Sequence, residues 1–442
     1  MAGEDTTVHA LALGGLGQPA TILTVPDPRY RDDQYRLFEQ LGGRIESFFQ
    51  RCLSQGVHPQ IWVSSSAGAS HLDVLAERLR ANRENAWVRR CGELLSYATD
   101  RFPVAGQQAL VTATGALRAH WATGQQPGED EHLGALLAWI DPPGGVPIQH
   151  AVARAERIPM GVKTDPAFDR DVLVPLVSAY NRARREGATA ARLAPRARAV
   201  DAALAPVARR VYDATQHAVA LLQAMRLPPL PDLAALERRE ADEFQSFMGS
   251  RDAGYFLSLR DKPKAAVFKL SAREDAVQNA GAALLRGDRV ARARGRLAGR
   301  VVFGVVSGSQ AVRAGVRKVE HRLTLRSRQR VLHVRRGDTL CWTEDPRLRF
   351  VVLDVQRRGH VTHLSLVVTN GQRAVGVPAD GAALELLPGV PDWSWLFRVR
   401  VHLKDRLRAT PWTHDPAAVP APAPATRRSV PLDPLAAVEA LR

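Results

Sequence analysis

The hydrophobic period of the chain changes at Gly299, and this change constrains the fold more than any other feature of the sequence. Before this residue, apolar side chains recur every three or four positions, as in amphipathic helices. After it, apolar and polar residues alternate in short runs every 8–12 residues, which favours a small barrel or sandwich. We therefore predict a multidomain α+β protein with an N-terminal α/β-to-helical domain, a central helical hairpin or bundle, and a C-terminal small β-barrel.

Breaks in composition divide the 442 residues into four predicted parts. The sequence Asp-Pro-Pro-Gly-Gly at 141–145 interrupts the helical period and ends the first part. A Pro/Ala-rich linker at 416–431 precedes a short predicted terminal helix at 434–442. The predicted parts are residues 1–145, an α/β and helical domain; residues 165–296, a helical region; residues 297–412, a basic β-barrel; and residues 413–442, the linker and terminal helix.

The N-terminal part has a β-α-β-α order. Residues 20–25 and 61–63 are β-branched runs that predict short strands. A predicted helix at 31–53 lies between them, and a second helix is predicted from Ser70. This order is compatible with one half of a doubly wound sheet. A further helix is predicted to carry Leu110 and Leu117 on one face.

Long helices are predicted for the central part. The best helical seam is formed by Leu204, Val207, Val211, Thr215, Ala218 and Leu222. The sequence Ser-Ala-Arg-Glu at 271–274 is a capping-box pattern that predicts the start of another helix of about 20 residues. On that helix, four arginines fall within an arc of ~120° and predict one basic stripe. They are Arg286, Arg289, Arg292 and Arg296.

Positive charge is concentrated in the predicted β region. Residues 286–408 hold 25 Lys+Arg against 10 Asp+Glu, a net of +15, whereas the whole chain carries +16. Abundant Arg, Ala and Pro indicate a GC-rich bacterial genome, but codon bias explains a high Arg total better than its concentration in one segment. Such a field needs a polyanion, and nucleic acid is the most abundant one in a cell. The sequence thus predicts nucleic-acid binding, with DNA favoured over RNA.

The predicted phosphate contacts are the exposed cations of this region. Leu323/Leu325 and Leu332/Val334 flank a turn-like segment at 327–330, which predicts a hairpin with aliphatic side chains inward and arginines outward. Trp342 and Phe350 are candidates for base stacking, with a core position as the alternative. Asn370-Gly371 predicts a further hairpin turn. The full predicted set is Arg286, Arg289, Arg292, Arg296, Arg322, Arg326, Arg328, Arg330, Arg335, Arg336, Arg398, Arg400 and Lys404.

A small-residue loop at 64–70 predicts a second possible site. Backbone N–H groups and a helix dipole converge where such a loop joins a strand to a helix, so it can hold phosphate. The possible phosphate ligands are Ser65, Ser66, Gly68 and Ser70. The alternative is purely structural, because Ser70-x-x-Asp73 is also a capping box. The sequence lacks the G-x-x-x-x-G-K-[ST] pattern of a P-loop motor.

Other constellations favour structural roles. Glu129, Asp130 and Glu131 precede an apolar helix, whose N-terminus carboxylates would stabilise. His360, His363 and Cys341 lack an evident fourth ligand, so neither a metal nor another cofactor is predicted, and no residue set predicts catalysis. The three cysteines are far apart, no signal-peptide pattern is present, and no apolar run approaches the ~18 residues of a membrane span. A cytoplasmic protein without a membrane partner is predicted.

Together these features predict a non-catalytic nucleic-acid-binding protein. We expect an accessory subunit of a DNA-processing assembly, such as a helicase or nuclease complex, with a protein partner bound through the C-terminal tail. One alternative is a nucleotide- or phosphate-ligand-binding enzyme or sensor that uses the Ser64–Ser70 loop. The other is a scaffold whose basic face binds an acidic protein.

Overall fold

The β-α-β-α order of the N-terminal region forms two small sheets covered by helices. A computed structural model describes residues 7–102, 104–225, 233–254, 263–313 and 319–389. The elements of this region are β1 (Ala10–Leu13), β2 (Thr21–Thr24), α1 (Arg31–Ser54), β3 (Ile61–Val63), α2 (Ser66–Arg80), α3 (Ala86–Thr99), β4 (Leu110–Thr112) and α4 (Ala113–His120).

Strand pairing divides this sheet in two. β1 pairs with β2 in antiparallel fashion, and β3 pairs with β4 in parallel. Among the described residues, no pairing joins the two sheets, so these strands do not form one continuous half of a doubly wound sheet. The predicted helix through Leu110 and Leu117 is also wrong in its first turn, because Leu110 begins β4. A three-residue strand is too short to show a period of two.

Helices make up the middle of the chain. They are α5 (Leu133–Ile140), α6 (Ile148–Glu156), α7 (Pro166–Phe168), α8 (Val174–Arg185), α9 (Ala190–Ala224), α10 (Leu233–Asp252), α11 (Pro263–Gly287) and α12 (Arg289–Leu297). A π-helical turn at Asp169–Leu173 connects α7 to α8. The seam predicted from Leu204 to Leu222 lies on α9, which contacts β1, β2, α4 and α5 as well as α8.

The helix predicted to start at Ser271 begins earlier and ends earlier. Residue 271 lies inside α11, so the predicted capping box does not start a helix there. The chain instead breaks at Asp288, whose carboxylate accepts hydrogen bonds from the backbone N–H groups of Val290 (2.7 Å) and Ala291 (3.2 Å). This arrangement caps α12, because the first N–H groups of a helix have no partner within it.

The core of the N-terminal region includes side chains from far along the sequence. α1 and α3 supply most of its large residues, and Phe244 and Met248 of α10 are buried in the same cluster. Met1–Val390 forms one compact unit. The boundaries of the four predicted parts stay predictions. No helix in the described ranges is long and apolar enough to cross a membrane.

The alternating region forms a six-stranded antiparallel sheet, which confirms the predicted mixture of helix and sheet. The strands hydrogen-bond in the order β10, β5, β6, β9, β8, β7, and β7 also pairs with β10 over residues 386–388. Their bounds, with one intervening helix, are β5 (Val302–Arg313), β6 (Val319–Ser327), β7 (Thr339–Trp342), β8 (Arg349–Arg358), β9 (Val361–Asn370), α13 (Gln372–Val375) and β10 (Ala383–Pro388).

Two of the predicted hairpins are wrong. β6 ends at Ser327 and pairs with β5 and β9, whereas Leu332 and Val334 lie in an irregular segment that packs against the sheet core. Asn370 ends β9, and Gly371 begins α13 with a φ of +82°, so Asn370-Gly371 is not a hairpin turn. The sequence Arg-Gly-His at 358–360 predicts a turn, and this turn connects β8 to β9. The alternation of apolar and polar residues at 393–403 predicts a strand, but this segment, the predicted linker and the predicted terminal helix lie outside the described residues.

Candidate functional site

Alternation along β6 separates its aliphatic and basic side chains. Leu323 and Leu325 are buried in the sheet core, whereas Arg322 and Arg326 are exposed on the opposite face. Arg326 lies opposite Val305 of β5 and His363 of β9. The predicted orientation of these two arginines is confirmed, because successive side chains of a strand point to opposite faces.

The segment after β6 is fixed against the start of β5 and the end of α12. The Ser327 hydroxyl donates to the carbonyl of Phe303 (2.7 Å). The Gln329 side-chain amide donates to the carbonyls of Arg296 and Val301 (2.9 Å each), and its oxygen accepts from the backbone N–H of Phe303 (2.6 Å). The flanking residues 328 and 330 are exposed arginines, so this segment presents cations beside β6 on an ordered backbone.

A close backbone approach places two further arginines nearby. Gly299 has a φ of +70°, and a Cβ on it would lie 2.8 Å from the Val331 carbonyl carbon and oxygen. The backbone N–H of His333 donates to the carbonyl of Gly299 (2.9 Å). Arg294 and Arg300 are exposed on either side of this contact, and sequence reasoning missed both as candidates. The sequence signal that could have identified them is Gly299, which lies at the change of hydrophobic period.

Two arginines of α12 hold that helix in place. Arg292 donates to the carbonyls of Leu285 (3.0 Å) and Arg286 (2.6 Å), and it lies 3.6 Å from the Glu385 carboxylate of β10. Arg296 pairs with the same carboxylate, which raises the pKa of its guanidinium, and its Cζ lies 4.7 Å from the Phe303 ring centroid. Their charges are therefore partly offset within the protein.

The predicted stripe of four arginines is consequently wrong. Arg286 lies on α11 and Arg289 on α12, with the break at Asp288 between them, so the four do not share one helix face. Arg289 is exposed and Arg286 is half-buried. The 100° rotation per residue that predicted the stripe applies only within a continuous helix.

The remaining predicted cations differ in their partners. Arg322 lies 3.3 Å from Glu320, and the Arg335 backbone N–H donates to Asp338 (2.7 Å). Of these remaining predicted cations, five exposed arginines make no ion pair with a described residue, namely Arg326, Arg328, Arg330, Arg335 and Arg336. Arg398, Arg400 and Lys404 lie outside the described residues.

Base stacking by Phe350 is excluded by its burial. Phe350 is fully buried, and Trp342 packs against the same core with part of its surface accessible. Phe303 is the exposed aromatic side chain at this surface, with 40% of its area accessible.

Comparisons of the chain with protein-family models, curated proteins and solved structures find no match.

The predicted phosphate loop is shorter than expected. α2 begins at Ser66, with Ser65 at its N-cap, so Ser70 lies within the helix and the predicted capping box from Ser70 to Asp73 is wrong. Ser65 is buried, Ser70 is exposed, and Gly68 packs against Val63. The four predicted phosphate ligands do not line one loop.

A carboxylate from the protein already occupies the N-terminus of α2. Glu131 accepts hydrogen bonds from the Ser66 backbone N–H (2.9 Å) and hydroxyl, and it lies 3.1 Å from Arg118. Burial raises the pKa of Glu131, but these partners and Thr114 outweigh burial, so its pKa is lowered overall. A phosphate at this helix end would have to displace Glu131.

The segment at 129–132 was predicted to stabilise the N-terminus of α5 through its carboxylates, but a histidine of this segment caps the helix. The side chain of His132, through Nδ1, accepts from the backbone N–H of Ala135 (3.1 Å) and caps α5. Glu131 instead reaches the end of α2. Within the described residues, no three His, Cys, Asp or Glu side chains are grouped to hold a metal ion.

Proposed function

We propose that the C-terminal sheet and the adjoining segment at 328–336 bind the phosphate backbone of nucleic acid without catalysing a reaction. The observation that carries this proposal is the set of exposed arginines, unpaired among the described residues, on β6 and on the segment held beside it. Guanidinium groups suit phosphate because their planar donors can bind two of its oxygens at once. The pairing from β7 back to β10 supports the predicted small barrel as the scaffold of this surface.

We expect the protein to contact nucleic acid without a preference for base sequence. Phosphate contacts position a protein on nucleic acid but do not read its bases. Arg326, Arg328 and Arg330 supply the cations. The exposed ring of Phe303 is partly covered by Arg296. We include in the proposal the preference for DNA over RNA, the accessory role in a helicase or nuclease assembly and the protein partner of the C-terminal tail. These parts rest on the sequence.

A charge-matched pair of variants tests the surface. Arg326→Ala, Arg328→Ala and Arg330→Ala together remove three cations at the proposed surface, whereas Arg198→Ala, Arg209→Ala and Arg210→Ala remove three exposed cations of α9. Binding to duplex DNA is measured over a range of salt concentrations. If all three arginines contact phosphate, the first variant should reduce the slope of log K against log salt by about 3, because each contact contributes roughly 0.9. The α9 variant should retain the original slope.

Two results would contradict the proposal. The first is an equal loss of affinity in both triple variants, since net charge alone would then explain binding. The second is tighter binding of an acidic protein than of duplex DNA or single-stranded RNA at every salt concentration, which would favour the scaffold alternative.

A further inference from the structure

A cavity of about 820 Å³ lies in the N-terminal region, between the two small sheets. It is lined by consecutive residues of β1 and β3, by one side of α1 and by α9. β1 pairs only with β2, and β3 only with β4, among the described residues. The space is therefore lined by strands that belong to two separate sheets.

The inner surface of the cavity is aliphatic. Leu75, Leu95, Leu204 and Val219 line it and are almost fully buried. Farther along α9, Val207 also lines it, so the apolar seam predicted from sequence faces an open space along part of its length. An apolar cavity of this size lies within the ~300–1,000 Å³ range of small-molecule sites, where it buries most of a ligand's apolar surface.

The outer part of the cavity is cationic. Arg44, Arg51 and Lys163 line it and are exposed, and no Asp or Glu is among the lining residues. Arg44 and Arg51 are seven positions apart on α1, so they share one helix face about 10 Å apart along the axis. None of the three makes an ion pair with another described residue. A positive rim without an internal anion favours an anionic ligand group.

The glycine-rich loop between β1 and β2 is fixed to α9 at the rim. The Tyr212 hydroxyl donates to the carbonyl of Gln18 (2.7 Å), and the Gln216 side-chain oxygen accepts from the backbone N–H of Gly17 (2.9 Å). A Cβ on Gly14 would collide with the Tyr212 hydroxyl. These contacts hold the rim in place from within the protein, and a pre-formed site loses less entropy on binding.

We propose that this cavity binds an amphipathic small molecule with an aliphatic body and a single anionic head, either a carboxylate or a phosphate. The body lies among the buried aliphatic residues, and the head lies at the cationic rim that Arg44, Arg51 and Lys163 line. This binding activity is separate from the proposed nucleic-acid surface, because it uses neither the C-terminal sheet nor the segment at 328–336.

The test compares three probes that differ only in the head group. Dodecanoate, dodecyl phosphate and dodecanol are titrated below their aggregation concentrations into the full chain, with calorimetry and the melting temperature as readouts. We expect at least one anionic probe to bind roughly tenfold or more tightly than the alcohol, since hydrogen bonds to charged groups are the stronger ones. A folded-state ligand also raises the melting temperature. The better anionic probe identifies the head group.

Two variants separate the head from the body. Arg44→Gln, Arg51→Gln and Lys163→Gln together change exposed residues and should abolish the advantage of the anionic probes while dodecanol binding is retained. Ala208→Trp places an indole in the cavity and should weaken all three probes. The proposal of an anionic head would be overturned if dodecanol binds as tightly as both anions. It would also be overturned if the triple Gln variant still binds the anions more tightly than the alcohol by the original factor. The whole proposal fails if none of the probes binds, or if ATP binds and the amphiphiles do not.

Discussion

At the residue scale, one half-buried carboxylate connects three helices. Glu46 of α1 accepts a two-pronged pair of hydrogen bonds from Arg251 of α10 (2.7 and 2.8 Å) and another from Arg90 of α3 (2.9 Å). Burial alone would raise the pKa of Glu46, but the hydrogen bonds from these arginines and Gln50 lower it to about 2. The ionised form is therefore the one that stabilises the fold.

This lowered pKa predicts a specific loss of stability in acid. A carboxylate whose pKa falls from an ordinary 4.5 to about 2 on folding stabilises the protein fully above pH 4.5, and that stabilisation is lost as the pH falls towards 2. Glu46→Gln should lower the free energy of unfolding at pH 7 by up to about 3 kcal/mol and flatten its dependence below pH 5. Urea unfolding between pH 3 and pH 7 measures both effects.

The control for Glu46→Gln is Asp73→Asn, which changes an exposed carboxylate of α2. It should leave the pH dependence close to that of the original chain. If the free energy of unfolding of Glu46→Gln depends on pH as it does in the original chain, the ion pairs of Glu46 with Arg90 and Arg251 do not stabilise the folded state.

At the scale of elements, α12 is coupled to both α11 and the sheet by one arginine. Arg292 donates to two carbonyls in the last turn of α11, where a cation also interacts favourably with the helix dipole, and it faces Glu385 of β10. Gly295 permits the close approach, since a Cβ there would lie 2.7 Å from Val301 and 2.9 Å from Leu285. Arg292 therefore stabilises local packing, although the concentration of positive charge in this region predicts that it binds a ligand.

The contrast between Arg292 and Arg328 is testable. Arg292→Ala should lower the free energy of unfolding by about 1–3 kcal/mol, because it removes hydrogen bonds from a charged donor, and should leave nucleic-acid affinity nearly unchanged. Arg328→Ala should do the reverse, since exposed substitutions usually change stability by less than about 0.5 kcal/mol. Chemical denaturation and the DNA salt titration of the same two proteins check the pair. Equal loss of DNA affinity in both would return Arg292 to the binding surface.

At the scale of the whole molecule, an aromatic cluster joins the N-terminal region to a helix more than a hundred residues later. The Phe244 ring packs edge-on against Phe49 at a centroid distance of 5.4 Å, and it packs in a tilted arrangement against Tyr97 at 5.3 Å. Phe244 is 1% exposed. The core of residues 8–110 is therefore completed by α10.

Phe244→Ala should consequently destabilise the N-terminal region by about 3–5 kcal/mol, the usual effect of a large cavity in a packed core. The change is followed by urea denaturation with near-ultraviolet circular dichroism, which reports the packing of Tyr97. Phe303→Ala, at an exposed phenylalanine of β5, is the matched control and should cost much less. If the two variants unfold at the same urea concentration, α10 does not complete this core.

The sequence by itself determined the elements whose apolar pattern is long and regular. α1 and the seam of α9 were predicted from a period near 3.6, and β6 from alternation. The alternation on β6 also predicted that Leu325 is buried and Arg326 exposed. These properties follow from contacts within a few residues, so a local pattern contains them.

Only the tertiary structure decided which elements meet. The pairing of β6 with β9, the break at Asp288 and the role of Glu131 at α2 depend on partners elsewhere in the fold. Arg296 was predicted to bind a ligand, but its partner Glu385 lies 89 positions away. The apolar cavity was equally hidden, because an apolar seam predicts burial and cannot show whether protein atoms fill the opposite side. The charge of a residue and the hydrophobic period of a segment are local properties. Whether a side chain is paired with another residue, or whether a space is filled by protein atoms, depends on the packing of the whole chain.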